Sequence, residues 1–90
     1  MATTQTAIRE WLEEAKKRKA THLLVVCDTF DWEDYPVFVL ADESVAQKAE
    51  EHHLQNMEKV MECYDLSVDW ESQLAEYRAW HGWHPQVSAD

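Results

Sequence analysis

Asp28, Asp31, Glu33 and Asp34 place four carboxylates in one short stretch, interleaved with Phe30, Trp32 and Tyr35 and bounded by two apolar runs. Clustered carboxylates suit a hard cation, but a helix-loop-helix calcium loop needs alternating ligands, a glycine at its tight turn and a distal bidentate glutamate. The stretch has none of these, so no metal is expected there. Two readings stay open: a surface for a basic partner or polar ligand, or a solvated turn whose aspartates bond their own backbone. The rings favour the first, because aromatic anchors inside a charged rim are how many protein interfaces are built. Asp28, Asp31, Trp32, Glu33, Asp34 and Tyr35 are accordingly the candidate partner-binding residues.

A second aromatic stretch, EYRAWHGWHP, begins at Glu76. Tyr77, Trp80 and Trp83 could stack a planar base, with Arg78 adding a planar cation, and these four are the alternative, ligand-binding set. Packing explains the same rings equally simply. His81 and His84 have a chelating spacing only if a helix continues through Gly82, and His52 and His53 are adjacent, so on a helix they point about 100° apart. Histidines gathered at a subunit contact would make assembly sensitive to mild acid. The cations of KKRK, Lys16 to Lys19, cap and solubilise a helix end or meet an anion. The chain carries no glycine-rich phosphate loop, no nucleophile elbow and no recognisable Ser, His and Asp arrangement. It is read as non-enzymatic, with no cofactor.

Composition sets the bounds on these readings. Ninety residues make one domain with a modest core, and 46% hydrophobic residues with five Trp exceed what a disordered acidic chain carries. The net charge is −10, yet five of the eight basic side chains lie in the first nineteen residues, so the remainder is more acidic still. Such a surface repels the nucleic-acid backbone and favours basic partners, or mimicry of nucleic acid toward a protein that binds it. Cys27 and Cys63 fit no disulfide or zinc framework and read as reduced, buried thiols. With no apolar leader and no apolar run long enough to span a bilayer, the expected location is the cytoplasm, away from membranes.

The elements that must position these residues follow from periodicity. Ile8, Trp11, Leu12 and Ala15 predict a helix over residues 4–18. HLLVVC and YPVFVLA predict strands over 22–27 and 36–40, joined as an antiparallel hairpin by the loop Asp28 to Tyr35, with Pro36 opening the second strand. Neither strand alternates apolar with polar, so both faces of the hairpin should be covered. Ser44 with Gln47 as a capping box, and a stripe of Val45, Ala49, His53, Met57, Val60, Met61 and Tyr64, predict a helix over 44–63. Ser67 or Asp69 as cap, Trp70, Leu74 and Tyr77 as inner face and Gly82 as stop predict another over 68–81, leaving 83–90 as a tail. The expected fold is a single small α+β domain of order αββαα. Open strand edges or a helical face should then drive a homodimer or larger assembly.

The segments THLLVVCDTFDWEDYPVFV, from Thr21, and NMEKVMECYDLSVDWESQLAEYRAWH, from Asn56, resemble a family of small bacteriophage-encoded proteins of no assigned function. The resemblance covers most of the chain and carries no catalytic residues. It implies an accessory protein acting in the host cytoplasm, often an oligomeric inhibitor or sequestering agent directed against a host system. The leading expectation is an acidic binding protein that inhibits a basic host protein through residues 28–35. The alternatives are an oligomeric sponge for a small signalling nucleotide, using Tyr77, Arg78, Trp80 and Trp83, and a structural or regulatory subunit.

Overall fold

Helix α1 (Gln5–Lys17) forms where the apolar spacing places it. Thr4 caps it, its Oγ1 accepting from the Ala7 N–H at 3.1 Å, and Ile8, Leu12 and Ala15 are buried along one face. The helix closes with the paired bonds of a Schellman turn, from the Ala20 N–H to the Ala15 carbonyl and from the Lys19 N–H to the Lys16 carbonyl. This turn needs a left-handed residue, and Lys19, at φ 59°, takes a place usually given to glycine. The computed structural model describes residues 4–53, 57–67, 69–76 and 79–84.

Strands β1 (His22–Asp28) and β2 (Glu33–Val39) make the expected antiparallel hairpin, and β3 (Glu58–Asp65) pairs with the other side of β1, giving the order β2-β1-β3. Leu23 and Val25 face α1, Tyr64 and Leu74; Leu24 and Val26 face Val39, Ala49, Val60 and Cys63. Both faces of the central strand are therefore covered, as its unbroken apolar run requires. Helix α2 (Val45–His52), capped by Ser44, lies on the second face, and the short α3 (Trp70–Leu74), capped by Asp69, lies beside α1 on the first. The fold is a single α+β domain of order αββαβα.

Three expected elements are corrected. The second strand starts at Glu33 and not at Pro36, so the connection shrinks to residues 29–32 and Pro36 lies mid-strand, tolerated because its nitrogen faces away from β1. The helix over 44–63 ends at His52, with His53 already extended, and residues 58–65 are a strand. The cause is a β-bulge: Val25 pairs with Glu62 but Val26 with Val60, so β3 carries one extra residue, Met61. The bulge places Val60 and Cys63 on one face and Met61 and Tyr64 on the other. That three-residue spacing imitates a helical stripe. The helix over 68–81 is likewise cut to Trp70–Leu74, with Ala75 as its C-cap; Val68, Tyr77 and Arg78 lie outside the described residues. Gly82 ends no helix. Its φ of 100° and the His22 ring, 2.5 Å from where a Cβ would stand, let residues 79–84 pass over the sheet.

The sheet edges are managed unequally. On the outer side of β3, the Val60 N–H donates to His53 Nδ1 at 3.2 Å, and the Cys63 N–H and carbonyl bond Ala79 and His81, both at 2.9 Å. Both backbone groups of Asp65 bond the buried Gln73 amide, each at 2.8 Å. This edge is closed by two side chains and a short parallel bridge. On the β2 side, main-chain groups of alternate residues point to opposite sides. Thr29 donates to Met57 and Leu66 to Thr21, so His22, Leu24, Val26 and Asp28 must bond β2, and Asp34, Pro36 and Phe38 point outward. Pro36 thus removes no ladder bond, and it breaks the outer row of donors at its centre. The Leu40 N–H is taken by Glu43 Oε1 at 2.9 Å.

Candidate functional site

The hairpin tip is built by short-range bonds. Asp28 Oδ1 accepts from the Phe30 N–H at 2.9 Å, Asp31 Oδ1 from the Glu33 N–H at 3.2 Å, and the Asp28 carbonyl from the Trp32 N–H at 2.7 Å. Asp28 and Asp31 are therefore turn-formers, as the blander sequence reading held. The turn is tied to β3 by Thr29, whose N–H and Oγ1–H donate to the Met57 carbonyl at 2.7 and 2.8 Å. This scaffold leaves apolar side chains outside. Phe30 is 76% exposed, Trp32 62% and Met57 57%, all at one end of the sheet, among the exposed carboxylates Asp31 and Glu33. Trp32 and Met57 also hold φ near +60°, a conformation costing L-residues roughly 1–2 kcal/mol.

The six residues expected to bind a partner divide. Asp28, Asp31, Trp32 and Glu33 sit at the tip, whereas Asp34 turns toward Cys27, where burial and then that carboxylate raise the thiol pKa. Tyr35 packs on the second face, its hydroxyl donating to Glu58. His52 Nδ1 lies 3.0 Å from the other oxygen of Glu58, so the three side chains join β2, α2 and β3. Burial, then Glu58, raises the Tyr35 pKa well above the ordinary phenol range, which keeps it a donor. Phe30 and Met57 join the tip from outside the candidate set. Phe30 belongs to the acidic stretch itself, whereas Met57 falls in residues 44–63, whose helix-like spacing masks it.

The alternative aromatic set offers a different geometry. Trp80 and Trp83 are half-buried against the second core cluster, with ring centroids 6.0 Å apart and planes at 61°. His53 meets Trp83 edge-on at 5.3 Å. Inclined rings packed on a core close it; they do not form the parallel faces that sandwich a base. Tyr77 and Arg78, the other half of that set, lie outside the described residues.

Cys27 and Cys63 are buried free thiols, and burial pushes Cys63 up to about 12. Among the described residues, no three of the His, Cys, Asp and Glu side chains are grouped to hold a metal ion, and no helix is long and apolar enough to cross a membrane. No protein-family model, curated protein or solved structure matches the chain.

Proposed function

We propose that this chain is a non-enzymatic binding protein whose hairpin tip docks onto a basic surface of a protein partner. The observation that carries the reading is the joint exposure of Phe30, Trp32 and Met57 at one acid-rimmed end of the sheet. Burying such side chains stabilises a fold by roughly 1.5–3 kcal/mol each, so leaving three outside a small core forgoes a large gain. Two of the three also sit on strained backbone. Strain and exposed apolar surface coinciding at one place are the marks of a binding surface. The net charge of −10 makes a cationic partner the natural one and direct contact with nucleic acid unfavourable. In the phage setting that the sequence resembles, the partner is a host cytoplasmic protein and the outcome is inhibition.

The test is affinity capture from host lysate with the wild-type chain, Asp31→Lys/Glu33→Lys and Trp32→Ser, at low and physiological salt. The reading expects one dominant partner, lost with either variant and weakened by salt, because exposed charge pairs are screened at physiological ionic strength. An unchanged set of captured proteins in both variants would overturn it.

A further inference from the structure

The tip has a complement on the same chain. Along the half of β2 remote from it runs an open groove of about 490 Å³, lined by Pro36, Val37, Phe38 and Leu40 with Arg18 and Lys48 on its walls. Leu40 is 41% exposed, and the Arg18 guanidinium lies 4.5 Å from the centre of the Phe38 ring. Glu43 and His52 complete the lining. The cations are not bare: Glu14 pairs with Arg18 at 2.8 Å and Glu43 with Lys48 at 2.9 Å, while Asp42 and Glu51 also act on Lys48. Lys16, Lys17 and Lys19, which flank Arg18 at the end of α1, are exposed, and they are the cations free to meet a carboxylate from another molecule.

Chain geometry keeps the two surfaces apart. The groove begins at Pro36, three residues or about 10 Å along β2 from Glu33, and because β2 runs straight from one to the other the tip cannot fold back into the groove of its own molecule. An apolar knob with a negative rim at one end can meet, on another copy, an apolar groove flanked by the exposed lysines of the α1 end. Edge-to-edge pairing of two β2 strands would instead meet the missing donor of Pro36 at its centre.

We propose that the tip of one copy seats Phe30 and Trp32 in the β2 groove of the next, with Asp31 and Glu33 toward Arg18 and the neighbouring lysines. The contact is head-to-tail, so it builds a ring or an open chain and not a two-fold dimer. It shares the tip with the function proposed above, but needs no foreign partner. Self-association and partner capture then compete for one surface, and the assembly is a store of covered tips.

The experiment is sedimentation velocity across a concentration series at 50 and 500 mM salt, on the wild type, a tip variant (Trp32→Ser) and a groove variant (Arg18→Ser/Leu40→Glu), each first checked for native circular dichroism. The wild type should associate more weakly at high salt, and each variant alone should associate at least tenfold more weakly. Mixing the variants should yield a one-to-one pair, because the groove variant keeps its tip and the tip variant keeps its groove. A wild type that stays monomeric, a two-fold dimer indifferent to both variants, or a mixture that forms no pair would overturn the proposal. The groove variant should still capture a foreign partner, which separates failure here from failure of the tip as a binding surface. Should the groove variant lose its fold, Lys16→Glu/Lys19→Glu replaces it, with the same expected and opposing results.

Discussion

Gly82 and Gln73 show how single residues decide the closed edge of the sheet. At Gly82 an added methyl would meet the His22 ring and strain a backbone already held at φ 100°, so Gly82→Ala should destabilise the fold by about 2 kcal/mol or more. The check is urea denaturation, where a midpoint equal to the wild type's would refute the reading. Gln73 is 2% exposed and satisfies both backbone groups of Asp65. Gln73→Ala should therefore strand a buried donor and acceptor and cost about 2–3 kcal/mol, read in the same assay. Lys19 points the other way. Its left-handed conformation already suits glycine, so Lys19→Gly should raise stability by up to about 1 kcal/mol; a loss would show that its side chain contributes more than the backbone strain takes away.

At the scale of elements, what could be read from the sequence depended on whether a local pattern had one interpretation. Helix α1 carried a single period along Ile8, Leu12 and Ala15, the apolar runs of β1 and β2 indicated the hairpin, and covered faces held for β1 while β2 stays half-exposed. Strand β3 was not legible, because the bulge at Met61 spaces its inward residues three apart as a helix does. With β3 misread, Met57 was lost from the tip, and His53 was assigned to a stripe when it accepts from the Val60 N–H. That bond makes the element sensitive to acid. Burial lowers the His53 pKa below its ordinary 6.5, with Lys59 adding to the effect, so the folded state holds the ring neutral while the unfolded chain protonates. His53 therefore contributes stability that is present above pH 6.5 and lost as the pH falls below it. Denaturation at pH 7.5 and 5.5 should show the wild type losing more stability over this interval than His53→Gln. Equal losses would mean that the ring does not titrate as described.

For the whole molecule, the carboxylates, the rings and the uneven charge of the site were legible as composition, but which rings face water was decided by tertiary packing. Tyr35, Trp80 and Trp83 close the second core, and Phe30 and Trp32 do not. The resulting polarity, acidic and apolar at the hairpin tip and basic at the end of α1, is a property of the topology that no single segment displays. On the proposed function the tip serves binding and not folding. The most direct measurement compares Phe30→Ser/Trp32→Ser with the wild type for partner capture, on protein shown by urea denaturation to be folded. Stability should stay within about 0.5 kcal/mol of the wild type, as for exposed sites generally, while capture falls at least tenfold. Full capture by a stable double variant, or a loss of several kcal/mol in stability, would contradict it.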